Sequence, residues 1–234
     1  MCDHPGPGPG LDQDCRFSSS VLGPDHGSEP NFGIPNYDHG RNCFDAFMWG
    51  SLSHDNIGPF LGISLPQSGM EVILASPENG RLQKWRHSTN PSVSKIQQIV
   101  FEVAKAIQYV HSIGIMFRSF LAANDIFVDF DNQAKLQCYG FCPNYLCKGQ
   151  FDYNGYSSSF EANIHEFGLL FYQVLFNKET NDIETRPSEP EIPDNVWQLI
   201  QWCCADDPKE RPTIDQVVQE MESWISLGQS TLST

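Results

Sequence analysis

No lysine precedes Lys84, and basic residues are scarce throughout: 14 Lys and Arg stand against 29 Asp and Glu, for a formal charge of −15. Contacts to phosphate need clustered cations, so nucleic-acid binding is excluded. Attachment to an anionic membrane surface fails on the same ground. Long apolar runs are missing too, and nothing approaches the roughly 18 consecutive apolar residues of a membrane-spanning helix. MCDHPGPGPG at the start has neither a basic region nor an apolar core, so no secretory signal is expected. The eight cysteines include no CxxC pair. That leaves no four-ligand zinc site in view and favours scattered, reduced thiols in a cytoplasmic protein.

Large apolar side chains are also rare over residues 1–41, which are dominated by Gly, Pro, Ser, Asp and Asn. Such a segment buries too little surface to offset its ordering entropy and is expected to be disordered. GPGPG is no phosphate cradle, because its prolines lack the backbone donors a phosphate needs.

The pattern changes at Asn42. Phe44, Phe47, Met48 and Leu52 fit a short amphipathic helix. FLGISL and EVILAS read as two strands around PQSG, and a second turn spans Pro77 to Gly80. From Ser92 to Ile113 the residues Ile96, Ile99, Val100, Val103, Ala104, Ile107 and Val110 form one stripe, with Gly114 placed to stop the helix. IFVDF and AKLQCY make a hairpin around Asp131-Asn132, and residues 141–160 read as a polar loop. Glu161 to Phe176 is apolar on most sides, as a buried helix would be. Amphipathic helices follow over Asn195–Cys204 and Thr213–Trp224. A few strands followed by many helices give an α+β fold.

Order and punctuation together resemble a protein kinase domain, most closely the tyrosine-kinase-like group of fungal serine/threonine kinases. LSHDNIGPFLGISL is similar to that group's LxHPNIxPFLG stretch. FEVAKAIQYVHSIGIMFRSFLAANDIFVDFDNQAKLQCYGF resembles its central helix, catalytic loop and metal loop. EANIHEFGLLFYQVL and VWQLIQWCCADDPKERPTIDQVVQEME resemble its later helices. The resemblance implies a kinase-like α+β fold over residues 42–226, with a truncated N-lobe (42–90) and a mainly helical C-lobe (91–226), followed by a tail over 227–234.

It also implies where catalysis would sit. The family's H-R-D-L-x-x-x-N falls on Phe117, Arg118, Ser119, Phe120 and Asn124, so a serine replaces the catalytic aspartate. A hydroxyl has no useful basicity near neutral pH. Asn124, a metal-ligand position, is kept. D-F-G falls on Cys138, Tyr139 and Gly140, and a thiol is a poor ligand for Mg²⁺. The strand lysine is missing, and the helix glutamate that would pair with it falls on Asp45. Phe117 and Tyr139 keep aromatic bulk in an internal spine, and Asn163 replaces the aspartate that anchors the catalytic loop. Arg211 lacks a readable carboxylate partner.

These substitutions strip charge while keeping volume, as expected of an inactive scaffold that binds another protein and takes no cofactor. The competing expectation is a weakly active, ATP- and Mg-binding kinase with a displaced lysine, Lys84 or Lys135. A decaying or incomplete gene product is the third. Among residues with plainer roles, Arg118 pairs with a phosphorylated Tyr153, Tyr156 or Ser157 to Ser159, or else with backbone carbonyls. Asp129 and Asp131 are solvated turn residues, and His54 and His111 are structural.

Overall fold

The computed structural model describes residues 19–21, 47–64, 71–74, 79–117, 121–137, 141–144, 159–178, 183 and 185–231. Strand β1 (Ser19–Val21) lies parallel to β3 (Glu71–Leu74), and β2 (Phe60–Ser64) lies antiparallel on the other side of β3. FLGIS and EVIL are therefore strands, as expected, while Leu65, Ala75 and Ser76 lie outside the described residues. Ser19–Val21 corrects the expectation of disorder at those three residues: its partner lies some fifty residues away, where local composition cannot register it.

The 42–52 segment differs in detail. Its described helical turn, 47–50, leaves Phe47 75% exposed and buries Trp49 instead, whose Nε1 donates to Gly58 O at 3.0 Å. An indole is buried readily when its single donor has an acceptor, and Gly58 supplies one.

Helix α1 (Leu82–Thr89) follows, then α2 (Val93–Ser112). Ser92 caps α2 by accepting from Lys95 N, and Gly114 ends the turn after it at φ +75°, a conformation that costs a glycine nothing. All seven residues of the expected stripe are buried. Each buried Ile or Val stabilises by about 1.5–3 kcal/mol, so α2 forms the axis of the core. It packs against α3 (Phe160–Phe176) and α5 (Ile214–Thr231), while α4 (Asp194–Cys203) packs on α3.

Two short strand pairs frame the centre. β5 (Ile126–Val128) and β6 (Ala134–Leu136) are the expected hairpin. β4 (Ile115–Phe117) pairs antiparallel with β7 (Phe141–Pro143). That pairing corrects the reading of 141–160 as loop at its first residues, because β7 is stabilised by a strand distant in sequence.

LSHDNIG stitches this centre to the small sheet. Asn56 Nδ2 donates to Ala134 O (3.1 Å), Leu136 N to Asn56 O (2.8 Å) and Gly58 N to Leu136 O (2.8 Å). The His54 ring stacks on Tyr109 at 5.1 Å. Position 58 must be glycine, since a Cβ there would sit 2.2 Å from Gln137 Cγ.

Cysteine chemistry departs from expectation once. Cys142 is disulfide-bonded to a residue outside the described set; spacing alone does not reveal which thiols the fold brings together. Cys203 and Cys204 are free. Burial pushes the Cys203 thiol well up and the Cys204 thiol to about 12, so both are inert. Among the described residues no helix is long and apolar enough to cross a membrane.

Candidate functional site

Arg118, Ser119 and Phe120 lie outside the described residues, as do Asp45, Cys138, Tyr139, Gly140, Tyr153, Tyr156, Ser157 and Ser158. The frame around them is described in detail.

Its foundation is Asn163, 2% exposed on α3. Asn163 Nδ2 donates to Phe117 O at 2.8 Å, and Asn163 Oδ1 accepts from Phe117 N at 3.1 Å. A primary amide donates and accepts at once, whereas an ionised carboxylate only accepts. Asparagine thus makes both bonds to the end of β4 without any charge, one of which an ionised aspartate could not make. Phe117 itself is buried, so the chain leaves for residues 118–120 from a fixed point.

The same oxygen meets His111 Nε2 at 3.2 Å. Because Oδ1 can only accept, that nitrogen carries the proton. The ring is 4.5 Å from Phe160 and 6.3 Å from Phe117. Burial among these rings pushes the His111 pKa down to about 4, outweighing the Asn163 hydrogen bond, which raises it. At neutral pH the anchor is an uncharged network, and His111 is structural as expected.

Beyond the loop, residues Ala123–Asp125 form a 3₁₀ turn. Asn124 is exposed there, and its carbonyl accepts from Arg81 Nη1 at 2.6 Å. The Arg81 guanidinium also lies 5.0 Å over the Phe127 ring. Asp125 turns back on its own turn: Oδ2 accepts from Ala122 N at 3.0 Å, and burial raises the carboxyl above its usual value despite that bond and nearby Arg81.

Asp129 is not the solvated turn residue expected. Oδ1 accepts from Gln133 N (2.8 Å), Oδ2 pairs with Lys135 Nζ (3.2 Å), and Lys135 also donates to Asp55 O (2.6 Å). The hairpin register places Lys135 opposite Phe127 and near Asp129, and sequence alone did not give that pairing. Asp131 is exposed, as expected, and so is Lys84. Among the described residues no three His, Cys, Asp or Glu side chains gather as metal ligands.

One further expectation changes, at Ser159. Ser159 serves as the α3 cap, its Oγ accepting from Ala162 N at 3.1 Å, because a Ser before an apolar helix offers the first-turn amides an acceptor. Arg211 finds backbone carbonyls: Nε donates to Ala205 O (2.8 Å) and Nη1 to Glu161 O (3.1 Å). Sequence reading missed Arg81, Arg86 and Glu102. Glu102 is 6% exposed and bridges Gln98 Nε2 (2.9 Å) to Ala134 N (2.6 Å). Its one visible signal was a carboxylate on the apolar side of α2.

Residues 41–159 match the model of a family described as protein tyrosine and serine/threonine kinase. The chain is 24% identical over 200 residues to a receptor-type guanylate cyclase of Caenorhabditis elegans, covering 77% of this chain and 17% of that protein. It is 23% identical over 199 residues to a probable serine/threonine-protein kinase of Dictyostelium discoideum, covering 73% and 19%. Against a dual serine/threonine and tyrosine protein kinase of Apis mellifera it is 26% identical over 162 residues, covering 54% and 16%. The chain therefore spans less than a fifth of the length of these relatives.

Proposed function

This chain belongs to the protein tyrosine and serine/threonine kinase family, and on that premise we propose that it is a pseudokinase. It is a folded but catalytically inactive domain of the tyrosine-kinase-like, fungal type that works in the cytoplasm by binding another protein. The observation that carries this reading is an intact anchor at Phe117, next to a stretch, 118–120, whose sequence carries no carboxylate. Asn163 holds Phe117 from both sides, while the base position just beyond is Ser119 and the metal position is Cys138.

Phosphoryl transfer depends on positioning and charge neutralisation by a lysine, metal-binding side chains and a carboxylate. Three such losses, each of several kcal/mol, remove most of the usual acceleration. The positions of the displaced-lysine candidates support this reading. Lys135 is occupied by Asp129 and Asp55, and Lys84 is exposed on α1. For Mg²⁺, Asn124 would need carboxylate company, yet Asp125 faces Ala122 N and Asp129 faces Lys135. That donor set does not fit a hard divalent cation.

A phosphotransfer assay on the purified chain with Mg²⁺ or Mn²⁺ and a generic protein substrate should show no turnover above background. Turnover that disappears in Asn124→Ala would overturn the proposal.

A further inference from the structure

Away from the loop, a recess of about 40 Å³ opens between α1 and the C-terminal end of α3. Leu82, Ala123 and Val174 form its apolar wall, and the polar lining comes from Gln83, Arg86, Gln173, Asn177 and Lys178. Arg86 Nε donates to Val174 O, and Nη2 donates to Leu175 O at 2.9 Å, which covers two carbonyls that the end of α3 would otherwise leave bare. Arg86 Nη1 makes no hydrogen bond among the described residues, and Lys178 has neither an ion pair nor a hydrogen bond among them.

A helix C-terminus carries about half a negative charge. Two cations exceed that, so the described lining of the recess holds surplus positive charge, in a chain whose formal charge is −15. Partial burial lowers the Arg86 pKa. A buried water needs roughly 10–15 Å³ of such space, so the volume suits about three non-hydrogen atoms. A carboxylate has three.

We propose that this recess receives a carboxylate of a partner protein's peptide segment, held between Arg86 and Lys178 with Gln83 and Asn177 as further donors. The inference deepens the scaffold reading by naming the partner's chemistry. Its failure would leave that reading to other faces of the domain, and the phosphotransfer assay tests that reading separately.

The test is an amide NMR titration of the full chain at about 0.15 M salt, where a Debye length of about 8 Å screens the long-range repulsion of an acidic ligand. The probes are hexaglutamate, acetylated and amidated at its ends, the same peptide in glutamine, and acetyl-glycylglycine with a free C-terminus. Saturable shifts at Gln83, Arg86, Asn177 and Lys178 are expected with a carboxylate probe and not with the glutamine peptide. Hexaglutamate binding identifies a side-chain carboxylate as the ligand, and acetyl-glycylglycine binding a chain terminus. Lys178→Glu, at an exposed position, should weaken binding about tenfold with an unchanged melting temperature. Shifts that are absent or lie elsewhere, or equal binding by the variant, would overturn the proposal.

Discussion

Asn163→Ala is expected to cost this protein about 4 kcal/mol of stability. Truncation strands the Phe117 N–H and C=O in a buried place where Asn163 is their hydrogen-bond partner among the described residues. Leaving a buried polar group unsatisfied costs about 1–3 kcal/mol, and the space left by the amide adds to that. Total stability of a domain is about 5–15 kcal/mol, so the variant should fall near the edge of folding. Asn163→Asp, of equal size, keeps the acceptor and loses the donor, so about half the penalty is expected. Urea unfolding of the three proteins measures both values. A cost under about 1 kcal/mol for the alanine variant would show that the amide does not hold the loop.

Acidification should destabilise the protein through His111. Its folded pKa is about 4 against an ordinary value of 6.5. The unfolded chain therefore takes up a proton between these values while the folded chain does not. Stability is full above pH 6.5, declines as pH falls toward 4, and levels off below. The window is worth about 3 kcal/mol at most. His54 and His165, also lowered by burial, act in the same direction, and Asp125, raised by burial, opposes them. Urea midpoints from pH 7.5 to 4 should follow this slope, and His111→Gln should flatten it. An unchanged slope in that variant would place the acid sensitivity elsewhere.

The parts of the fold that rest on local periodicity were legible in the sequence. α2 could be read from its seven-residue stripe and its Ser92 and Gly114 boundaries, and α3 from apolar residues on nearly every side. What escaped notice depends on distant partners. β7 exists because β4 lies beside it, and β1 because β3 does. Helix α1 has only Leu82 and Trp85 to bury, too few for a stripe, and so gave no signal. At the site, the expectations at Ser119, Cys138 and Asn163 all came from the family resemblance, and the structure describes only Asn163, with its two bonds to Phe117. That the anchor is uncharged through His111 was not readable, since it depends on a ring held 3.2 Å from an amide 52 residues away. The pairing of Lys135 with Asp129 was hidden for a similar reason: it is set by the hairpin register.

The central claim is that this family fold no longer grips a metal–nucleotide. A ligand that binds only the folded state must raise its melting point, by about 2.7 kcal/mol of stability at a hundred times its dissociation constant. Thermal unfolding in millimolar ATP with Mg²⁺ is the most direct measurement. No change in the melting temperature is predicted. A saturable rise that Asn124→Ala abolishes would contradict the account.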